Sequence, residues 1–167
     1  MEELFGARQF DILPHLIALM VAYLLALPIG WNREREERSA GLRTFPLVAV
    51  ASCGFVQAAE HLTVGTPEAT ARIVEGLITG MGFIGGGAIL RMKDSVKGTA
   101  TAASLWVTGA IGTAVGLGSY DVAIVLALAT ITTLWVISRF KEKVGVADSE
   151  AIGPTAEEAA EPPQQER

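Results

Sequence analysis

Apolar residues are concentrated in long runs along this chain, and polar residues lie mainly between the runs rather than alternating with them. A run of about 20 apolar residues, or somewhat fewer where its ends reach the interface, crosses a bilayer as a helix. Five such spans are predicted, at residues 12–31, 45–59, 73–90, 98–120 and 122–138. The predicted fold class is therefore all-α, a polytopic membrane helical bundle with five transmembrane helices.

Proline and turn residues mark the ends of several spans. Pro14 and Pro46 lie near the first turn of the first and second spans, where a missing N–H group costs little. Thr44 is placed to cap the second span. Only a tight turn around residues 119–121 separates the last two spans, so these two helices are expected to form an antiparallel hairpin.

Glycines are frequent in the third span and recur there at four-residue spacing. Gly76 with Gly80, and Gly82 with Gly86, are small-residue pairs of the kind that let another helix backbone approach closely. This pattern predicts that the third span lies at the centre of the bundle. The triplet at residues 85–87 has two interpretations, either close packing or a locally opened helix whose carbonyl groups face an ion or water.

Basic residues are distributed unevenly between the two sides of the predicted bundle. The loops after the first and third spans, together with the segment after the fifth, contain ten lysines and arginines. The opposite side contains two, Arg8 and Arg72. Because basic loops remain in the cytoplasm, the N-terminus is predicted outside and the C-terminus inside the cell, which requires an odd number of spans.

The composition supports a membrane protein, since 50% of the residues are hydrophobic. The net charge of −5 arises mainly from residues 147–167, which contain six carboxylates and one arginine. A short acidic segment rich in alanine and proline cannot bury a core. We therefore predict a transmembrane domain at residues 1–140 and a disordered acidic cytoplasmic tail at residues 141–167.

The connection between the first two spans contains four arginines and three glutamates. On a helical turn, Arg33 would pair with Glu37, and Glu34 with Arg38, both at a spacing of four residues. Arg43 has no acidic residue three or four positions away. Arg43 is therefore expected to bind a lipid phosphate, a helix C-terminus or a partner protein.

Glu75 is the only carboxylate inside a predicted span. A charged side chain at the centre of a bilayer costs about 2.5–3.5 kcal/mol on insertion scales, so such a residue indicates a function. Glu75 is accordingly a candidate intramembrane ion or proton site. The alternative is an interfacial ion pair with Arg72, three residues earlier in the helix.

Hydroxyl groups follow one face of the fourth span, because Thr101, Ser104 and Thr108 recur at helical spacing. They are expected to hydrogen-bond to neighbouring helices, at about 0.6 kcal/mol each, or to line a polar cavity. The chain has two histidines and one cysteine, with no nucleophile next to a base and no glycine-rich phosphate loop. An enzyme and a cofactor are therefore not expected.

Four segments in order resemble the signatures of the MgtC/SapB membrane family. They are GWNRE at residues 30–34, AGLRT at 40–44, GMGFIGGGAI at 80–89 and GTATAASLW at 98–106. The founding type of the family carries a soluble domain after its last helix, and this chain is expected to be a short form without that domain. The candidate functional residues that the resemblance implies are Arg33, Glu34, Gly41, Arg43, Thr44, Gly80, Gly82, Phe83, Gly85, Gly87, Thr101, Ser104 and Trp106.

The resemblance also implies a bacterial inner-membrane protein connected with magnesium-limited growth, and members that regulate other membrane proteins, such as the F-type ATP synthase. Two hypotheses follow. The first is a regulatory or partner-binding protein linked to magnesium homeostasis and stress adaptation. The second is a small oligomeric carrier or channel for a cation such as magnesium or protons, with Glu75, Thr101 and Ser104 lining a path between protomers. Membrane lipids and a second copy of the chain are the expected neighbours in either case, and nucleic acid is not.

Overall fold

The computed structural model describes residues 12–36, 40–63, 65–91 and 96–144, and these residues are almost entirely helical. Their elements in chain order are α1 (Ile12–Arg35), α2 (Thr44–Ala58), α3 (Glu60–Thr63), α4 (Pro67–Gly87), β1 (Leu90–Arg91), β2 (Val96–Lys97), α5 (Thr99–Gly116) and α6 (Tyr120–Val144). The two short strands pair antiparallel, with Leu90 opposite Lys97. Each of the five predicted spans contains a long helix, which confirms the all-helical architecture.

The chain divides into two compact units, Met1–Leu134 and Trp135–Arg167. In the second unit, the Arg139 guanidinium lies 5.2 Å from the centre of the Trp135 ring, within cation–π distance. Helix α6 continues to Val144, four residues past the predicted domain boundary at residue 140. The rest of the predicted tail, residues 145–167, lies outside the described residues.

Two of the described helices are long and apolar enough to cross a membrane, namely α1 and the segment Tyr120–Ile137 of α6. Only 22% of the apolar window in α1 and 11% of that in α6 is buried, whereas the core helix of a soluble protein is mostly buried. Helix α2 is shorter but also apolar. Most residues of the apolar windows in α1 and α6 are therefore not buried by the described residues.

Helix α5 contacts α1, α2 and α4, and its glycines allow these contacts to be close. A Cβ atom at Gly112 would overlap the carbonyl oxygen of Ala49 in α2, and one at Gly116 would lie 2.7 Å from Cβ of Val56. On the α4 side, a Cβ at Gly109 would lie 2.7 Å from Cγ of Met81. The fourth span, rather than the third, is therefore the helix around which α1, α2 and α4 pack.

The prediction that the third span lies at the centre is wrong. A Cβ atom added at Gly76, Gly80, Gly82 or Gly86 of α4 would meet nothing within 4 Å. The spacing of small residues permits close approach of a helix, but it does not determine whether a helix of the same chain takes that place. The triplet 85–87 forms the last turn of a continuous helix, so the locally opened helix is not observed.

A tight turn joins α5 to α6, as the sequence predicts. Gly118 has φ +77°, and the Ser119 N–H donates to the carbonyl of Ala114 at 2.8 Å. The Gly118 N–H donates to the carbonyl of Val115 at 3.0 Å. These two bonds form a Schellman motif, in which the left-handed residue ends the helix.

Candidate functional site

A buried arginine joins the end of α1 to the start of α5. The side chain of Arg33 is 4% exposed, and its Nη1 lies 3.1 Å from Oε2 of Glu36. Its Nη2 donates to Oγ1 of Thr101 at 3.3 Å, across 68 residues of sequence. We call Arg33, Glu36 and Thr101 the polar junction. The predicted partner Glu37 lies outside the described residues, and the observed acidic partner is Glu36, three residues after Arg33.

The carboxylate of Glu34 holds the turn that begins α2. Its Oε2 accepts a hydrogen bond from the Leu42 N–H at 3.0 Å, and the N–H groups of Thr44 and Phe45 donate to the Gly41 carbonyl at 3.0 and 3.1 Å. A Cβ atom at Gly41 would overlap the Glu34 carboxylate. A larger residue at this position would therefore require the Glu34 carboxylate to move from its bond to the Leu42 N–H.

One prediction about this turn is corrected. Thr44 does not cap α2, because it is the first residue of the helix, and the N-cap residue Arg43 makes no side-chain capping bond. The Gly41 carbonyl accepts from the first two N–H groups of the helix instead. The predicted Arg38 partner of Glu34 lies outside the described residues, and the Glu34 carboxylate is bound to the Leu42 N–H. Local spacing did not indicate this bond, since the two residues are eight positions apart.

The hydroxyl groups of α5 share a buried face, as predicted, with Thr101, Ser104 and Thr108 each at most 4% exposed. Ser104 donates to the carbonyl of Ala100 at 2.7 Å, and Thr108 donates to the carbonyl of Ser104 at 2.8 Å. These two bonds are made within α5, so the predicted bonds to neighbouring helices are not formed there. Thr101 alone of the three is bonded to another helix, through Arg33.

One face of α4 is exposed along its length and contains several of the candidate residues. Glu75, Thr79, Gly82, Phe83 and Gly86 follow helical spacing and are all exposed, with Phe83 at 86%. We call these five residues the outward stripe. The Thr79 hydroxyl donates to the Glu75 carbonyl at 2.9 Å, as isolated helical threonines do.

The predicted ion pair between Glu75 and Arg72 is not formed, although the structure describes both residues. Both side chains are exposed on α4. An exposed pair gains little from contact, since the entropy of two long side chains opposes it. The Glu75 carboxylate therefore lies on the outward stripe without that arginine.

Three further candidates line a groove between α2 and α4. Arg43 and Thr44 lie at one end of it, and Gly80 forms part of its wall. The groove has a volume of about 520 Å³ and continues along α2 to Phe55. We call it the α2–α4 groove.

The last candidates lie between α4 and α5 or at the end of α4. Gly85 is buried, and a Cβ there would lie 3.4 Å from the Ala102 carbonyl oxygen of α5. Trp106 is 47% exposed and lines a cavity of about 300 Å³ with Met81. Gly87 is the exposed last residue of α4. The candidates thus separate into buried contacts between helices and an outward-facing set.

Sequence reasoning missed three residues that position the site. A Cβ at Gly30 would lie 3.2 Å from the Gly41 carbonyl oxygen, so Gly30 lets α1 meet the turn before α2. Gly30 is the first residue of the GWNRE segment, and its place in that segment could have marked it as a candidate. The other two are Glu36, which pairs with Arg33, and Gly112, where an added Cβ would overlap the Ala49 carbonyl oxygen.

The structure also bears on metal binding. No group of three or more His, Cys, Asp or Glu side chains close enough to hold a metal ion occurs in the part of the chain that is described.

Comparison with known proteins gives consistent results. The model of the MgtC family matches residues 19–143. Protein SrpB of Synechococcus elongatus is 36% identical over 151 residues, which is 83% of this chain and 81% of SrpB. Protein MgtC of Salmonella typhimurium is 37% identical over 111 residues, 66% of this chain and 47% of MgtC. YhiD of Escherichia coli, named as a candidate magnesium transporter, is 35% identical over 71% of this chain and 58% of YhiD.

The chain therefore spans about half the length of MgtC and most of the length of SrpB. No solved structure is significantly similar to it.

Proposed function

Because the chain belongs to the MgtC family, we propose that it is a bacterial inner-membrane protein that binds and regulates another membrane protein. Its role would be linked to magnesium homeostasis and stress adaptation. The name of YhiD supports the link to magnesium. None of the three relatives described above is named as an enzyme, and we propose no catalytic activity for the chain.

The proposed topology has five transmembrane helices, with the N-terminus outside and the C-terminus in the cytoplasm. The observed helices coincide with the five predicted spans, and ten basic residues against two favour this orientation. The N-terminal ends of α2 and α5, where the polar junction and Arg43 lie, would then face the cytoplasm.

The observation that carries the proposed function is the outward stripe. Small and polar residues of a membrane helix are normally covered by another helix, because lipid tails neither pack closely against small residues nor form hydrogen bonds. Phe83 is instead 86% exposed, and a Cβ added at Gly82 or Gly86 would meet no described residue within 4 Å. A stripe with one large aromatic side chain between glycines is suited to packing against a helix of a partner.

The interior of the bundle supports binding rather than conduction. The Ser104 and Thr108 hydroxyls are bonded to carbonyls of their own helix, and Thr101 accepts from Arg33. These groups are buried, and the Arg33 guanidinium at Thr101 places a positive charge beside this face, which opposes the entry of a cation. A path through a single copy of the chain is therefore not favoured.

Two kinds of partner are proposed for the outward stripe. One is another membrane protein, such as an ATP synthase or a transporter, which the chain would regulate. The other is a second copy of the chain, which would form a homo-oligomer. Both would bury Phe83, and they differ in whether the cross-linked product contains a second kind of protein.

The alternative function is an oligomeric cation carrier or channel, and one observation favours it. The Glu75 carboxylate lies on the exposed stripe of α4, where a second protomer would place it at an interface. An ionisable residue in that setting is a candidate for proton or cation transfer. In this alternative, removal of the carboxylate abolishes ion movement.

The Phe83→Ala variant tests the partner-binding proposal. We expect the amount of partner that cross-links to the chain in native membranes to be about tenfold lower than for the wild type, because a central aromatic side chain dominates an interface. Complementation of a deletion strain in low-magnesium medium should fall in parallel. Val125→Ala is the matched control, since Val125 is 65% exposed on α6 and lies outside the stripe. Equal cross-linking and growth in the two variants would refute the proposal.

A further inference from the structure

The α2–α4 groove is apolar along most of its length. Helices α2 and α4 both pack on α5, and they leave a space of about 520 Å³ between them. Leu47 and Phe55 stand on the α2 wall, and Gly76 and Gly80 on the α4 wall. A Cβ at either glycine would meet nothing within 4 Å, so the wall is open at these two positions, beside the other α4 residues that line it.

One end of the groove has a different character. Arg43 and Thr44 lie there, and among the described residues Arg43 is the only charged one that lines the groove. The guanidinium of Arg43 is exposed, and neither it nor the Thr44 hydroxyl makes an ion pair or hydrogen bond with the described residues. The N–H groups of Leu42, Thr44 and Phe45 are already bound to Glu34 and Gly41. The two side chains are therefore the main donors that this end offers to an anion.

The dimensions of the groove indicate what fills it. From Thr44 to Phe55, α2 rises about 17 Å, close to the thickness of one leaflet of a hydrocarbon core about 30 Å thick. Dividing about 520 Å³ by that length gives a mean cross-section of about 30 Å². One extended chain fits a space of this length and width, and the positive charge at one end of the groove favours a chain with an anionic headgroup.

We propose that the α2–α4 groove binds one acyl chain of an anionic phospholipid from the cytoplasmic leaflet, with the lipid phosphate at Arg43 and Thr44. Guanidinium groups bind phosphate oxygens through two parallel hydrogen bonds, and the threonine hydroxyl supplies a further donor. The negative surface of the cytoplasmic leaflet adds to this attraction. The proposal depends on the membrane setting and orientation but not on a regulatory role, because the groove and the outward stripe are different faces of α4.

The test uses the purified full-length chain in bilayers containing equal amounts of phosphatidylglycerol and phosphatidylcholine. A trace of either lipid carries a photoactivatable group near the end of one acyl chain. We expect labelling on α2 and α4 near Phe55 and Gly76, with the phosphatidylglycerol probe favoured about fivefold, the effect of about one basic residue near an anionic surface.

Two variants, each with a control, distinguish the contact of the lipid headgroup from that of the acyl chain. Arg43→Gln should remove the preference for phosphatidylglycerol, whereas Arg72→Gln, at another exposed arginine, should retain it. Gly80→Leu should block labelling of the groove by both probes, whereas Gly82→Leu, two residues away on the outward stripe, should not. Neither glycine has a neighbour that an added Cβ would meet, so both variants should fold.

Three outcomes would overturn the proposal. The first is acyl-chain labelling spread evenly over the exposed helices. The second is an unchanged lipid preference in Arg43→Gln. The third is a cross-link between two copies of the chain across the groove, which would show that protein occupies it. Loss of partner binding in Phe83→Ala is measured separately, so either proposal can fail without the other.

Discussion

Replacing Gly112 with alanine is expected to destabilise the protein by about 3 kcal/mol or more, because the new methyl group would overlap a backbone carbonyl. The Ala49 carbonyl oxygen and carbon of α2 lie where the Cβ would be placed. A backbone group cannot rotate away as a flexible side chain does, so α2 and α5 must separate. The apparent melting temperature in detergent should fall by about 10 °C.

Gly86→Ala is the matched control for that substitution. Gly86 is also a helical glycine, and its added Cβ would meet nothing within 4 Å. Alanine is the better helix former by about 1 kcal/mol, so this variant should be as stable as the wild type or slightly more so. Equal stability of Gly112→Ala and Gly86→Ala would show that α2 and α5 are not packed as described.

The second large effect is expected for Arg33→Ala, which removes the centre of the polar junction. Thr101 would lose its bond to the guanidinium, and Glu36 would lose its ion-pair partner. We expect a loss of about 2–3 kcal/mol, since hydrogen bonds to a buried charge contribute more than neutral ones and the arginine stem also packs. The melting temperature should fall by about 8 °C.

Arg35→Ala on the same helix serves as the control, because Arg35 is exposed and its loss should change stability by less than about 0.5 kcal/mol. Arg33→Lys should recover only part of the loss, since an ammonium group cannot reach both partners in the manner of a planar guanidinium. If the two arginine-to-alanine variants melt at the same temperature, the polar junction does not join α1 to α5.

Sequence patterns were sufficient for the features that depend on local periodicity. The apolar runs located all five long helices, and the spacing of Thr101, Ser104 and Thr108 placed them on one buried face. Gly118 and Ser119 form the tight turn that was predicted between the last two spans. Each of these features requires information from fewer than 20 neighbouring residues.

Contacts between distant segments were beyond such patterns. The bond from Arg33 to Thr101 joins residues 68 positions apart, and no spacing within the loop indicates it. The Leu42 N–H just before α2 is bound by Glu34 of α1, and a search for a local cap does not identify this bond.

Glycine spacing was also ambiguous. The Gly82–Gly86 pair of α4 is open, whereas the Gly112–Gly116 pair of α5 is tightly covered by α2. Both pairs have the same four-residue spacing, so only the arrangement of the helices distinguishes an internal contact from an outward-facing one.

The central claim is that the chain binds a partner instead of moving a cation. It is tested most directly by magnesium and proton flux into liposomes containing the purified chain, followed with a magnesium-sensitive dye and a pH-sensitive dye. We predict that flux with the wild type equals that of empty liposomes and is unchanged in Glu75→Gln. Flux through the wild type that Glu75→Gln abolishes would contradict the claim and establish the carrier instead.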